Sequence, residues 1–180
     1  MNLLDKHFIT RLTWFRRSPK QRPDPEHLMS LEQQMNTEKE IQRALDTSQF
    51  AVLATQYDGQ PHASLMAFTP IAGIRYLIIA TYRNTMKYRN LSKDGRVAVL
   101  IDNRSVQASV EHRNLVITAH GIASEVPSSD HKAAEQALLA RHDNLTAFLA
   151  SADCILMRIA VTAYEIVAGT DEVFWYEVAE

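Results

Sequence analysis

The sequence predicts a mainly β fold with a few short helices: an antiparallel barrel, closed or split. Three observations lead there. Six or seven apolar runs of strand length recur between residues 50 and 178. Most are separated by turns too short to hold a crossover helix, so neighbours must pair antiparallel. The helical stretches between them are few and short, which leaves the strands to close on themselves around the core.

The elements follow in order. Residues 1–17, MNLLDKHFITRLTWFRR, place Leu4, Phe8, Leu12 and Phe15 on one helical face and are basic. SPKQRPDPE (18–26) carries three prolines and reads as a linker. The expected division is therefore an amphipathic arm with its linker over 1–26 and a barrel domain over 27–180. A helix is expected to start near Thr37, where Thr37 and Glu40 form a capping box and Ile41 and Leu45 supply the apolar face. FAVLAT and the run after Asp58-Gly59 form a hairpin, because both turn positions tolerate positive φ. A second turn falls at Ala72-Gly73, and RYLIIAT is the third strand. MKYRNLSKD reads as a short helix closing at Gly95, and RVAVLID (96–102) as the fourth strand. NLVITAHGIASEV (114–126) is a fifth, bent at Gly121. SSDHKAAEQALLARH is a helix with a serine cap, followed by a shorter helical stretch, NLTAFLAS. In CILMRIAVTAYEIVAG (154–169) Ile155, Met157, Ile159 and Val161 alternate against Leu156, Arg158 and Ala160, and EVFWYEV is a last strand.

Composition narrows the function classes. At 180 residues, 46% hydrophobic and 22% charged, the chain suits a globular domain with an arm. A net charge of −2 does not attract nucleic acid. One cysteine, Cys154, excludes an internal disulfide framework and a cysteine-based zinc site and fits a reducing, cytoplasmic setting. No apolar run approaches the roughly 20 residues needed to span a bilayer, and charges at Asp5, Lys6 and His7 leave no signal-peptide core. No membrane partner is expected.

One stretch invites chemistry. ATYRNTMKYRNL (80–91) passes from a buried-looking strand to Arg83, Thr85 and Lys87, three donor-bearing side chains at alternate positions. With Asn84 capping a helix that starts at Thr85, unpaired N–H groups, a hydroxyl and two cations converge, a set that suits a phosphate monoester.

The order of these elements resembles the pyridoxamine-phosphate-oxidase-like family of FMN-binding split barrels. The resemblance covers roughly residues 36–126 and rests on the capped helix with FAVLAT, on DGQPHASLMAF, on LIIATYRNTMKYRNL, on SKDGRVAVLID and on VITAHGIASEV. It implies an antiparallel split β-barrel with FMN as cofactor. Ser64, Leu65 and Met66 then lie along the flavin ring, Thr81 approaches the cofactor from the end of the third strand, Arg83, Thr85 and Lys87 hold the phosphate, and Asn114 is a polar ring contact. It also implies a homodimer with the flavin at the subunit interface.

The chain departs from true pyridoxamine phosphate oxidases. Met86 and Ser64 stand where those enzymes carry arginine, and the acidic, aromatic C-terminus TDEVFWYEVAE replaces an arginine-rich segment that holds substrate phosphate. FMN binding survives these changes, whereas oxidation of pyridoxine phosphate does not follow. No catalytic residue is identified and no metal site is expected. His112, His120, His131 and His142 read as surface or turn residues, and Asp58 and Glu111 form no acid pair. The reading is an FMN-dependent oxidoreductase acting on a small molecule, with NAD(P)H as a candidate donor. The alternatives are a flavin carrier or sensor without turnover, a deazaflavin binder, and a haem-binding relative.

Overall fold

The computed structural model describes residues 31–103, 115–168 and 172–179, and residues 34–180 form one compact unit. The amphipathic arm and its linker lie outside the described residues. The elements are α1 (Leu31–Thr47), β1 (Phe50–Tyr57), β2 (Gln60–Ile71), β3 (Tyr76–Tyr82), α2 (Met86–Leu91), β4 (Arg96–Asp102), β5 (Leu115–Glu125), α3 (His131–Arg141), a 3-10 turn (Asp143–Leu145), α4 (Thr146–Leu149), β6 (Cys154–Ala168) and β7 (Glu172–Glu177).

Every strand pairing is antiparallel. The sheet runs β3-β2-β1-β4-β5-β6-β7, and β3 also pairs with β6, so six strands close a barrel. This is the split barrel. The long strand β6 makes the split. Its first half, Cys154–Ala160, pairs with β3, and its second half, Ala163–Ala168, pairs with β7. Between the halves the register against β5 jumps from Gly121↔Val161 to His120↔Ala163, leaving Thr162 as the extra residue of a bulge. A bulge flips side-chain parity. Ile155, Met157, Ile159 and Val161 are core residues before it; Tyr164 and Ile166 are core residues after it. Gly121 is required there because a Cβ would collide with the Ala160 carbonyl.

Turn chemistry sets the hairpins. Asp58 and Gly59 have φ of 52° and 73°, and Ala72 and Gly73 have φ of 52° and 69°. Both pairs meet the positive-φ demand of tight hairpin turns.

Strict alternation on β1, β4 and β5 sends Ala51, Leu53, Val97, Val99, Ile101, Leu115, Ile117 and Ala119 inward. α1 adds Ile41, Ala44 and Leu45, spaced to share one face, to the same core. This helix begins by Leu31, well before the expected start at Thr37. Leu31, Glu32, Gln33, Gln34 and Met35 are good helix formers, so the chain is already helical where the capping box was read. Its C-terminal end is held by the Arg141 guanidinium, which donates to the carbonyls of Leu45, Asp46 and Ser48. Tyr164 is fully buried, and its hydroxyl donates to the Ile74 carbonyl at 2.6 Å.

A second, smaller core lies outside the β3–β6 seam. There Ile78, Ala80 and Leu156 meet Ala134 and Leu138 of α3, with Phe148 and Leu149 of α4 packed against them. Asp130 takes the N-cap position of α3 in place of the expected serine and makes no side-chain capping hydrogen bond; its carboxylate accepts the Ser129 hydroxyl instead.

Among the described residues no element covers the outer face of β2, β1 and β4. Cross-strand pairing sets Leu65, Val52 and Leu100 in one row and Ala63, Ala54 and Ala98 in the next. Leu65 is 71% exposed and Phe50 52%. No helix among the described residues is long and apolar enough to cross a membrane.

Candidate functional site

β3 carries the chain out of the barrel at Thr81 and Tyr82, and a three-residue turn leads into α2. The Tyr82 carbonyl accepts the Thr85 amide at 3.2 Å, which closes that turn. Thr85, in extended backbone, is the N-cap of α2, one residue later than expected, and its side-chain oxygen accepts the Tyr88 amide. The Thr85 hydroxyl can donate to the Tyr82 carbonyl at 2.9 Å, and it also lies 2.9 Å from the Thr81 hydroxyl.

These residues line one side of a cleft of roughly 260 Å³. The neighbouring strand β2 adds Leu65, Met66 and Ala67 to the lining, and the segment after α3 adds the apolar Leu145 and Phe148. The Tyr82 and Phe148 rings pack 4.2 Å apart, centroid to centroid. Lys87 completes the lining. Its ammonium is half-buried and has no hydrogen-bond or ion-pair partner among the described residues, and burial lowers its pKa below the ordinary 10.5. A cation held in an apolar cleft without a counter-ion favours an anion. The rings of Tyr82 and Phe148 and the strand β2 favour a flat, apolar body attached to it.

Five of the residues singled out from the sequence, Leu65, Met66, Thr81, Thr85 and Lys87, come together in this lining. Ser64 lies on β2 beside them but is not part of the lining, and its hydroxyl is 3.1 Å from Nε2 of His62. Arg83 is turned aside. Its Nη1 donates to the Tyr88 hydroxyl at 3.0 Å and stands 3.8 Å from the Glu125 carboxylate. Asn114 lies outside the described residues. Sequence reasoning did not single out Tyr82, Leu145 or Phe148. The last two sit more than fifty residues beyond the Arg83–Lys87 stretch, in a segment whose only signal was weak helix periodicity.

His142 sits in the turn between α3 and the 3-10 turn, as one of the two expected placements had it, but not at the surface. It is buried, and Nε2 lies 2.9 Å from the Phe68 carbonyl, so that nitrogen carries the proton and donates. His120 is partly buried, stacked on Trp175 with centroids 5.1 Å apart. Among the described residues no three His, Cys, Asp or Glu side chains gather into a metal site.

A profile of the pyridoxamine 5'-phosphate oxidase family matches residues 37–163, well over half of the chain. The chain belongs to the pyridoxamine 5'-phosphate oxidase-like family. Over 70 residues it is 37% identical to a pyridoxamine 5'-phosphate oxidase homolog from Schizosaccharomyces pombe. That match covers 34% of this chain and 37% of the relative, so little more than a third of the relative's length is spanned. Among solved structures it is similar to a haem-binding protein from Mycobacterium smegmatis, with a TM-score of 0.69 at 20% identity, covering 78% of this chain and 57% of that one. It is also similar to a FAD-binding protein from Mesorhizobium loti, with a TM-score of 0.59 at 17% identity, covering 73% of this chain and 94% of that one. At these identities the likeness is one of fold.

Proposed function

We propose that the chain binds FMN in this cleft and works as a flavin-dependent oxidoreductase on a small molecule. The observation that carries this reading is the half-buried Lys87 ammonium, without a partner among the described residues, in a cleft walled by β2, Tyr82 and Phe148. Family membership and a FAD-binding structural relative support a flavin.

In this reading Lys87 supplies a charge-assisted hydrogen bond to the phosphate, and the Thr85 hydroxyl a neutral one. Thr81 fixes the Thr85 side chain through their shared hydrogen bond. Ser64, Leu65 and Met66 meet the ring edge through their backbone. Asn114 is the proposed polar ring contact at the start of the fifth strand. Bound FMN supplies hydride or electron chemistry that no side chain here supplies. NADH or NADPH is the proposed donor.

A second copy of the chain completes the site. A cleft of roughly 260 Å³ is below the ~300–1,000 Å³ typical of whole small-molecule sites. Leu65 belongs both to the cleft lining and to the bare apolar face formed with Val52 and Leu100. A partner that covered this face would shield the exposed apolar rows and wall the open side of the cleft. We place this dimer in the cytoplasm, where the lone thiol of Cys154 stays reduced.

The test is the absorption spectrum and mass of the cofactor that copurifies with the full chain. FMN, bleached by NADH or NADPH and restored by air, supports the reading. FMN that neither donor bleaches makes the protein a carrier or sensor. A Soret band, or the mass of a deazaflavin, overturns the cofactor.

A further inference from the structure

Arg83 lies in sequence between Tyr82 and Thr85, and both of these line the cleft. Its own side chain does not. The guanidinium donates to the Tyr88 hydroxyl at 3.0 Å, lies against that ring at 5.8 Å from the centroid, and faces Glu125 at 3.8 Å. The Tyr88 hydroxyl in turn donates to Glu125 at 2.6 Å, so the phenol oxygen joins the cation and the carboxylate. Glu125 is the last residue of β5; it pairs with Met157 of β6, which pairs in turn with Ile79 of β3, so a single strand separates it from the strand that leads to Arg83. The three side chains form one closed set. Arg83 and Glu125 are about half exposed, at 53% and 51%, so the set can open without unpacking the core.

We propose that Glu125 and Tyr88 form a latch that holds Arg83 off the cleft, and that a ligand phosphate binds by competing with Glu125 for that guanidinium. This rests on the FMN reading above and adds to it. Lys87 is the standing cation of the site, and Arg83 is a second one released on binding. Glu125 is then a specificity-determining residue. It lowers affinity for any weakly charged anion that cannot repay the broken ion pair, and it leaves a dianionic phosphate the better competitor. Half-exposed ion pairs are individually weak, so the latch is small enough for one ligand phosphate to open.

The experiment measures dissociation constants for FMN and riboflavin by quenching of flavin fluorescence, on the full-length chain freed of cofactor. The proteins are the unaltered chain, Glu125→Gln, Arg83→Ala, the double variant and Lys87→Ala. Glu125→Gln keeps an acceptor for the Tyr88 hydroxyl and removes the charge. The latch predicts that Glu125→Gln tightens FMN binding by about two- to fivefold, the range of such pairs, and leaves riboflavin unchanged. In the Arg83→Ala background the same change should bring no gain, since the coupling needs both residues. The latch is overturned if Glu125→Gln leaves FMN affinity unchanged, if it alters riboflavin equally, or if its gain persists without Arg83, which marks a long-range charge effect. Failure of the underlying FMN reading has a different signature. FMN and riboflavin would then bind alike and Lys87→Ala would change neither, and the latch falls with it.

Discussion

The Thr85 hydroxyl lies 2.9 Å from the Thr81 hydroxyl, joining the end of β3 to the cap of α2. The pair sets the shape of the turn that carries Arg83 and the orientation of Lys87 two residues on. Thr85→Val keeps the volume but removes the acceptor for the Tyr88 amide and the donor to the Tyr82 carbonyl. Loss of an N-cap costs about 0.5–2 kcal/mol. The variant should lose that much stability in urea unfolding and bind FMN several-fold more weakly. Unaltered FMN affinity would remove Thr85 from the site.

Lys87→Ala should weaken FMN binding by about tenfold or more, the loss of a charge-assisted bond of roughly 1.5–3 kcal/mol. Lys93→Ala, a change at an exposed lysine past the end of α2, should leave it unaltered. Equal effects of the two in the same titration would misplace the pocket.

Alkaline pH should act through the same ammonium. The folded-state pKa of Lys87 is below its ordinary 10.5 because burial penalises the charged form. Between the lowered value and 10.5 the unfolded chain binds more protons than the folded one. Stability of the cofactor-free chain therefore rises with pH through that window, and the cost of the buried charge is fully present below it. FMN binding needs the charged form, so its affinity falls over the same window. Dissociation constants measured from pH 7 to pH 10.5 should show this fall for FMN, and Lys87→Ala should flatten it. A fall of equal size in the variant would assign the effect to another group.

Much of the barrel was legible because local chemistry dictates it. Asp58-Gly59 and Ala72-Gly73 demand tight turns, and two such turns between apolar runs leave antiparallel pairing as the outcome. Strand parity was legible up to Val161 and not beyond, since the bulge at Thr162 depends on β6 changing partner from β3 to β7. The start of α1 was misjudged because Thr37 and Glu40 satisfy a capping pattern inside a run of good helix formers. In the candidate site, Thr85 and Lys87 share one short stretch, and their common place in the cleft lining could be expected from spacing. The orientation of Arg83 could not, because Glu125 lies 42 residues along the chain and only the closed barrel brings it near. Burial of His142 is likewise a tertiary outcome, fixed by the Phe68 carbonyl 74 residues away.

Ala98→Arg tests the proposed dimer. Ala98 pairs with Ala54 on the bare face, where a long cation disrupts contact with a second copy and meets no core atom. Sedimentation velocity should show a shift from dimer to monomer, with FMN affinity reduced at least tenfold and the barrel still folded by circular dichroism. A monomer that binds FMN as tightly as the unaltered chain would place the whole site within one subunit.

The central claim is that the cleft recognises a phosphate-bearing flavin through Lys87 and its neighbours. Titration calorimetry of the full-length, cofactor-free chain with FMN and with riboflavin tests it most directly, because the two ligands share the ring and differ in the phosphate. One charge-assisted contact of roughly 1.5–3 kcal/mol predicts at least about tenfold tighter binding of FMN. Equal dissociation constants for the two would contradict the account.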